Sequence, residues 1–320
     1  MNENQQLETT NKLGKLREDL KKDPNNIALR EFYAEQLSEK GENEESINQY
    51  KILIKLSPNK SEYYYCLGIA LEKIKDMQGA LEAYKKAVDI YPDFGDAHYN
   101  LAYVLDRTGK QLEAIKEYQI AINLNPKDAN AHFNLGCIHS ERDNAKEALE
   151  HLNIAIEINP EDEYAHFYLA FEFQKMGIIE KALQEYDTVI RINPKYSWAY
   201  YNKGYIYLSQ NEKEKAFNEF KKTFEINNED YKALQQLIAI GLDLNYGDNL
   251  LDLLEDLIIM DSKNAILHFY IAEVFSKMNL LEDAFLHYKK AYNLPNLKKS
   301  DIDPIKLREK LIFLKNKLAE

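Results

Sequence analysis

The amino-acid sequence predicts an all-α fold made of about eight helical hairpins of equal length. Three observations predict it: prolines recur every 34 residues, apolar residues between them follow helical spacing, and small residues recur at two positions of each interval. The regularly spaced prolines are Pro24, Pro58, Pro92, Pro126, Pro160 and Pro194. A fixed period of this length is typical of proteins built from stacked helical repeats.

Apolar spacing within one repeat predicts two helices. In residues 95–128, a first apolar face recurs at intervals of three and four residues, and a second face follows with the same intervals. The first face consists of His98, Leu101, Ala102 and Leu105, and the second consists of Ala114, Tyr118 and Ala121. Both patterns are typical of amphipathic α-helices. We therefore expect a helix A and a helix B in every repeat.

Residues at the helix ends predict where each helix stops. Gly109 lies between the two helices, and most of its equivalents tolerate the left-handed backbone conformation that ends a helix. These equivalents are Gly41, Asp143, Gly177, Asn211, Asn245 and Asn279, with Lys75 as the exception. Proline lacks an amide donor and disfavours helix in the residue before it, so each proline is expected to follow the end of helix B.

Small residues at two equivalent positions predict close packing of helices A and B. The helix A position contains Ala34, Gly68, Ala102, Gly136, Ala170, Gly204 and Ala272, and the helix B position contains Ser46, Ala80, Ala114, Ala148, Ala182, Ala216 and Ala284. Large side chains between the repeats are Tyr50, Tyr84, Tyr118, Tyr186, Phe220 and Tyr288. One hairpin cannot cover this apolar surface alone, so the repeats must stack.

This pattern resembles the tetratricopeptide repeat (TPR) family over about residues 27–297. The shared features are the 34-residue helix–turn–helix, Leu-Gly or Leu-Ala in helix A, Ala and Tyr in helix B, and the closing Pro. The resemblance implies a right-handed superhelix whose A helices line a concave groove. The repeats are 27–60, 61–94, 95–128, 129–162, 163–196, 197–230, the degenerate 231–264, and 265–297.

Both ends of the chain are expected to cap this stack. Residues 1–23 are polar and include a short amphipathic helix with leucines at 13, 16 and 20. Residues 302–320 include a final helix that begins at Asp303-Pro304 and has an apolar face together with basic side chains. Stacked repeats need end elements with a polar outer surface.

Composition excludes several classes of partner. The formal net charge is −12, whereas nucleic-acid-binding proteins concentrate positive charge, so we expect no nucleic-acid partner. No apolar run reaches the length of a membrane-spanning helix, and the N-terminus lacks the apolar segment of a secretory signal. Cys66 and Cys137 are expected to be free thiols. These features predict a cytoplasmic protein without a membrane partner.

No sequence motif indicates an enzyme. Glycine-rich phosphate loops, dinucleotide fingerprints, zinc-protease motifs and paired-cysteine motifs are missing from the sequence. Histidines recur at one helix A position, as His98, His132, His166 and His268. Equivalent residues on stacked helices lie roughly 8–10 Å apart, so these side chains cannot converge on one metal ion. We interpret them as packing residues and expect no metal, cofactor or catalytic residue.

Aromatic and asparagine side chains concentrate on the helix A face that is expected to line the groove. Aromatic rings supply contact area, and an Asn amide can donate to and accept from a peptide backbone. The candidate peptide-binding residues are Tyr99, Asn100, Tyr103, Phe133, Asn134, Phe167, Tyr168, Phe171, Trp198, Tyr201, Asn202 and Tyr205. Two interpretations remain open: a peptide groove, favoured by the excess of rings from Phe167 to Tyr205, or ordinary wall residues of the TPR pattern.

The seventh repeat departs from the pattern and suggests a second surface. Ile238 and Leu250 replace small residues, so altered stacking is expected. Leu253 and Ile259 occupy positions that are mostly polar in other repeats. Exposed apolar residues can mark an interface. The alternative is that the last repeat and the C-terminal helix cover these two side chains.

The sequence therefore predicts a non-catalytic scaffold that binds a protein or peptide segment of unknown identity. An alternative is a self-associating structural subunit that uses the seventh repeat and the C-terminal helix. A remote alternative is a TPR subunit that serves a glycosyltransferase on a separate chain. A chaperone C-terminal tail is not expected as partner, because the groove positions of the first repeats lack the Lys and Arg residues of chaperone adaptors. These positions are Glu31, Glu35, Tyr65, Ile69, Asp96 and Asn100.

Overall fold

The computed structural model describes residues 3–295, 297 and 302–319, with side chains described from residue 12 onward. This part of the chain contains eighteen α-helices and no β-strand, which confirms the all-α prediction. Positions 1–2, 296 and 320, at the ends of predicted segments, lie outside the described residues. The helices are α1 Glu3–Lys22, α2 Ile27–Lys40, α3 Asn43–Leu56, α4 Ser61–Lys73, α5 Met77–Ile90, α6 Gly95–Arg107, α7 Gln111–Leu124, α8 Ala129–Glu141, α9 Ala145–Ile158, α10 Glu163–Lys175, α11 Ile179–Ile192, α12 Ser197–Ser209, α13 Lys213–Ile226, α14 Tyr231–Asp243, α15 Gly247–Met260, α16 Ala265–Lys277, α17 Leu281–Asn293 and α18 Pro304–Lys317.

A left-handed residue separates the two helices of every hairpin from α2–α3 to α16–α17. The glycines at this position have φ between 73° and 83°, and the other residues have φ between 58° and 65°. In each turn the next N–H donates to the carbonyl five residues earlier, at 2.7–2.9 Å. Lys75, the exception in the sequence pattern, adopts the same conformation with φ 65°. The hydrogen bond and the packing of α4 on α5 therefore determine this turn even without a favourable residue.

Helix B ends just before the turn that contains proline, as predicted. Helices α5, α7, α9 and α11 each stop two residues before their proline, and the intervening residue has φ between −128° and −134°. Helix α13 stops at Ile226 in the same way, with φ −132° at Asn227, although no proline follows. Proline is thus compatible with the turn but is not required for it.

The small residues bring helices A and B into close contact. A Cβ atom on Gly68 would lie 2.5 Å from a ring atom of Tyr84, and one on Gly204 would lie 2.9 Å from a ring atom of Phe220. Both rings are fully buried. Glycine at these two positions therefore leaves the space that the neighbouring ring occupies.

The chain forms two compact parts, Met1–Glu172 and Phe173–Glu320, named here the N-terminal and C-terminal units. In the N-terminal unit, successive helices pack around a core of Ala, Leu and Tyr side chains. Helix α1 packs on α2 through Leu13, Leu20 and Tyr33. It has 20 residues, so it is longer than the short helix that the sequence predicted.

In the C-terminal unit, the seventh repeat packs differently from its neighbours. Helices α14 and α15 pack less closely against each other than α12 and α13 or α16 and α17 do. Ile238 and Leu250 are both buried at the positions that are small in other repeats. Their bulk separates the two helices, which agrees with the altered stacking expected from the sequence.

Helix α18 covers the end of the C-terminal unit. It packs on α17, and its side chains Leu307 and Leu314 are buried in a cluster with Tyr288 and Ala291. The ammonium of Lys310 bonds to Glu273, which also accepts from the Tyr288 hydroxyl. A polar bond network therefore accompanies the apolar contact of this helix.

Candidate functional site

The predicted peptide-binding residues fall into two sets, one in each unit. The N-terminal strip consists of Tyr99, Asn100 and Tyr103 on α6, Phe133 and Asn134 on α8, and Phe167, Tyr168 and Phe171 on α10. The α12 strip consists of Trp198, Tyr201, Asn202 and Tyr205. The structure brings together residues within each strip, and each strip is described by itself.

Aromatic contacts connect the helices of the N-terminal strip. The ring of Phe133 lies edge-on to that of Tyr168 with centroids 5.7 Å apart, and Tyr168 contacts Phe167 at 5.9 Å. Tyr99 packs edge-on against the buried Tyr118 at 5.7 Å. All of these residues except Tyr118 are half-buried, so each presents part of its ring at the surface. Phe171 is more exposed, at 37%.

The asparagines of the predicted groove already have partners within the chain. The amide of Asn134 donates to the Tyr99 hydroxyl at 3.0 Å, and that of Asn202 donates to the backbone carbonyl of Trp198 at 2.8 Å. A hydrogen bond from Asn100 similarly acts on Tyr65, one repeat earlier. A primary amide has two N–H donors and one carbonyl acceptor. Each Asn therefore uses part of its hydrogen-bonding capacity within the fold and keeps the rest for a ligand.

The α12 strip has an anchored side and an exposed side. Tyr201 and Tyr205 pack edge-on against the buried ring of Phe220, with centroids at 5.7 and 5.2 Å. Their hydroxyls lie 3.3 Å apart, and the two rings contact each other at 4.9 Å. Trp198 stands on Tyr201 at 5.6 Å and is 58% exposed. Three rings thus form a fixed platform whose outermost member faces solvent.

Burial favours the protonated hydroxyl of Tyr99, Tyr168 and Tyr201. Burial raises the pKa of Tyr99 and Tyr168 in the N-terminal strip. Burial also raises the pKa of Tyr201, and the hydrogen bond with Tyr205 adds to the increase. A protonated hydroxyl can donate to a peptide carbonyl as well as accept from an N–H.

The repeated histidines connect each helix A to the preceding turn. Nε2 of His98 donates to the carbonyl six residues earlier at 2.8 Å, and His166 and His268 make the same bond at 3.2 Å. Arg30 and Tyr200 occupy the same position in their repeats and donate to the corresponding carbonyl. The histidines are buried, so the structure places them in packing and turn closure.

Two of these histidines also pair with a histidine 19 residues later. The Nδ1 atoms of His132 and His151 lie 3.1 Å apart, and those of His268 and His287 lie 3.2 Å apart. Because Nε2 of His268 donates to a backbone carbonyl, its neutral Nδ1 must accept from His287. Burial lowers the pKa of His151 and, with the nearby charge of Lys290, lowers that of His287 to about 4. These pairs are therefore neutral at pH 7.

Sequence reasoning missed three buried charged residues, Arg30, Glu172 and Lys203. Lys203 on α12 is 8% exposed and binds Asp187 at 2.7 Å and Glu219 at 3.0 Å. Burial opposes its charge, but the hydrogen bond with Asp187 and the charge of Glu219 raise its pKa. Its equivalents are Tyr33, Leu67, Leu101, Leu135, Leu169, Leu237 and Ile271. The signal in the sequence was a lysine at a helix A position that is apolar or aromatic in the other repeats.

The two cysteines are partly buried free thiols. Cys66 and Cys137 are free and half-buried, and burial raises the pKa of both thiols.

The two residues of the second predicted surface differ in exposure. Leu253 is half-buried and packs against the core of the C-terminal unit. Ile259 is 81% exposed at the end of α15, beside Met260 at 80%. Of the two candidate interface residues, Leu253 is therefore partly buried and Ile259 is exposed.

Among the described residues, no three His, Cys, Asp or Glu side chains are arranged to bind a metal ion. None of the described helices combines the length and apolar character needed to cross a bilayer.

Sequence-family models for TPR units match more than half of the chain. The model described as TPR repeat matches residues 35–75, 107–142 and 172–211. Models described as tetratricopeptide repeat match 61–94, 83–116, 129–162 and 199–230. The comparison with curated proteins gives no match.

Solved TPR structures share the fold at low sequence identity. YrrB, described as a TPR protein with an unusual peptide-binding site, is 23% identical with a TM-score of 0.52, and the match covers 58% of this chain and 96% of that one. PilF of Pseudomonas aeruginosa is 19% identical with a TM-score of 0.54, covering 67% and 97%. A tetratricopeptide repeat protein of Parabacteroides merdae is 18% identical with a TM-score of 0.52, covering 80% and 99%. The chain belongs to the tetratricopeptide repeat family.

Proposed function

We propose that this chain is a non-catalytic scaffold that binds a segment of a partner protein on the aromatic face of its A helices. The observation that supports the proposal most is the α12 strip, in which a 58% exposed Trp198 stands on two tyrosines anchored by Phe220. Exposed, rigidly supported Trp and Tyr side chains are typical of residues that dominate protein interfaces. Packing alone does not require a tryptophan whose ring faces solvent.

The N-terminal strip supports the same function with a weaker argument. Its rings and amides are half-buried and make inter-helix contacts, so part of the aromatic–Asn pattern serves the fold. Phe171 is the most exposed ring of this strip. YrrB, a TPR protein described by its peptide-binding site, provides a parallel for peptide binding on this fold. A cytoplasmic location, consistent with two free thiols, remains part of the proposal.

The test is selection from a random-peptide display library with the wild type, Trp198→Ala and Phe313→Ala. Phe313 lies on α18 in the same unit and is 64% exposed, so its replacement controls for the loss of any exposed ring. We expect the wild type and Phe313→Ala to enrich the same peptides. Trp198→Ala should weaken their binding by about 30-fold, the effect of losing one interface anchor. Helical content, followed by circular dichroism, should be unchanged in both variants.

Two results would contradict this function. The first is that the wild type enriches no peptide above background, which would mean that the strip serves packing only. Alternatively, Trp198→Ala and the wild type could bind the selected peptides equally, which would place any binding site elsewhere.

A second candidate function is self-association through the C-terminal end of the chain. Ile259 and Met260 on α15 and Ile305 and Ile312 on α18 are all more than half exposed. Apolar side chains exposed on a helix can form an interface between copies of the chain. Sedimentation equilibrium of the protein alone tests this function, because a monomer at high micromolar concentration contradicts it.

A further inference from the structure

A cavity of about 480 Å³ opens between α14, α16 and α18 in the C-terminal unit. Its apolar wall includes Phe269, Tyr270 and Leu307. Its polar lining includes Gln235 and Asp303 together with the three lysines Lys232, Lys306 and Lys310. This volume is within the range of sites that bind small ligands. Aromatic and cationic groups therefore meet in one cavity of a chain whose net charge is −12.

The charged groups of this cavity are not equally available. Lys310 binds Glu273 and lies 5.5 Å from the ring centres of both Phe269 and Tyr288. The Asp303 carboxylate accepts from the backbone N–H of Ile305 at 2.9 Å, as the N-cap of α18.

Two cations of the cavity have no charged partner. Lys232 and Lys306 are both exposed, and neither forms an ion pair with any described residue. They come from different helices, α14 and α18, and meet at the same cavity. Two ammonium groups that line the cavity thus have no ion-pair partner among the described residues.

The cavity lies on the same helix face as the α12 strip. Gln235 on α14 and Phe269 on α16 follow Tyr201 at intervals of 34 residues, so the three occupy equivalent positions of successive A helices. Tyr201, Tyr231 and Tyr270 all pack against one core cluster of the C-terminal unit. A segment that follows the A helices beyond Trp198 therefore meets this cavity next.

We infer that the cavity binds an Asp or Glu side chain of the peptide segment that lies on the α12 strip, and this inference rests on the proposed function. The carboxylate is placed between Lys232 and Lys306, and the methylene groups of the ligand lie against Phe269. Gln235 supplies an amide for the peptide backbone next to the acidic residue. Because the chain as a whole is acidic, it repels acidic segments elsewhere, and this cavity selects for a segment with its acidic residue in one position.

The test uses three peptide display libraries with the wild type, Lys232→Gln/Lys306→Gln and Lys195→Gln/Lys263→Gln. The first library contains Asp and Glu with amidated C-termini, the second replaces them with Asn and Gln, and the third is the second with free C-terminal carboxylates. Lys195 and Lys263 are exposed lysines in turns of the same unit, so the second variant is matched in charge. Glutamine is one atom shorter than lysine and replaces the ammonium charge with a neutral polar amide.

We expect the wild type to prefer the first library and to enrich Asp or Glu at one fixed distance from an aromatic residue. The cavity variant should lose this preference by about tenfold in affinity, and the matched variant should keep it. Binding of the remaining peptides should still depend on Trp198.

Other outcomes overturn the inference in distinguishable ways. If the wild type binds peptides through Trp198 but shows no acidic preference, or if the preference survives in the cavity variant, the inference is wrong and the proposed function stands. Preference for the third library alone would identify a terminal carboxylate as ligand and would also overturn the inference. If no library yields peptides, the proposed function and the inference both fail.

Discussion

At the scale of single residues, one position of helix A shows how a repeat reuses a geometry with different side chains. His98, His166, His268, Arg30 and Tyr200 all reach the backbone carbonyl six residues earlier. What these residues share is an N–H or O–H donor at the end of a large side chain. The position therefore selects for a donor of suitable reach, which explains why histidines recur there without forming a metal site.

The left-handed turn at Lys75 predicts a stabilising substitution. A non-glycine residue with φ 65° costs free energy that glycine does not, although glycine also increases the entropy of the unfolded chain. We expect Lys75→Gly to raise the free energy of unfolding by about 0.5–1 kcal/mol. Thermal unfolding followed by circular dichroism measures the change.

Lys86→Gly is the control for this substitution, because Lys86 is exposed in the interior of α5. Glycine within a helix should lower the stability by about 1 kcal/mol. If Lys75→Gly destabilised the protein as Lys86→Gly does, the lysine side chain would contribute a contact that outweighs its backbone conformation.

His287 predicts a loss of stability in acid. Its folded pKa of about 4 lies below the ordinary histidine pKa of 6.5, since burial and the charge of Lys290 oppose protonation. The neighbouring His268 acts in the same direction and Asp283 in the other. Between these pH values the unfolded chain binds a proton that the folded chain does not, so stability present above pH 6.5 is lost as the pH falls towards 4. Phe275 contributes to the burial, with its ring 5.6 Å away.

His287→Gln tests this linkage, because Gln49 occupies the equivalent position in the first repeat and accepts a hydrogen bond there. We expect wild type to lose about 1–2 kcal/mol more than the variant between pH 7.5 and pH 4.5, a value reduced for solvent screening at a half-buried ring. Urea unfolding of both proteins at the two pH values measures how much the free energy of unfolding of each one changes with pH. Equal losses in both proteins would show that His287 is not a source of the acid sensitivity.

At the scale of elements, the seventh repeat predicts uneven stability within the C-terminal unit. Helices α14 and α15 are separated by Ile238 and Leu250, so they bury less backbone against each other than α12 and α13 do. Local opening depends on such contacts. We expect hydrogen exchange, read by mass spectrometry, to be about tenfold faster in α14 and α15 than in α12 and α13. Equal protection of the two hairpins would mean that contacts with α16 compensate for the separation.

Most elements could be predicted from the sequence, because they depend on local rules. Helical spacing, the turn residues and the prolines placed the A and B helices, and the bulky replacements in the seventh repeat predicted its altered packing. The partners of polar side chains could not be predicted, because they depend on which atoms meet across repeats. Asn134 is an example, since its bond to Tyr99 joins residues 35 positions apart.

The candidate site was predictable only in part. The positions of the aromatic residues on the A helices follow from the period of 34 residues. Whether a ring is anchored or exposed depends on the neighbouring helix, as the contact of Tyr205 with Phe220 and the exposure of Trp198 show. The cavity at Lys232 and Lys306 required the placement of α18, which no local pattern determines.

At the scale of the whole molecule, the repeats obey nearest-neighbour packing. Within each unit, the described helices contact mainly the elements directly before and after them in the chain, so the free energy of folding of a unit is approximately a sum over adjacent pairs. The last pair has a neighbour on one side only. Its apolar face is therefore covered by α18, whose Leu307 and Leu314 are 1% and 3% exposed.

This dependence predicts a local effect of damage to the C-terminal helix. In Leu307→Ala/Leu314→Ala, each buried leucine lost should cost about 2–4 kcal/mol and uncover the surface around Tyr288. We expect faster hydrogen exchange in α16 and α17 and unchanged exchange in α2 to α7, because coupling weakens with each intervening pair. Ile312→Ala, at a side chain that is 52% exposed, is the control and should change the stability by less than about 0.5 kcal/mol. Exchange that accelerated uniformly along the chain would contradict nearest-neighbour packing, since the repeats would then unfold as one cooperative block.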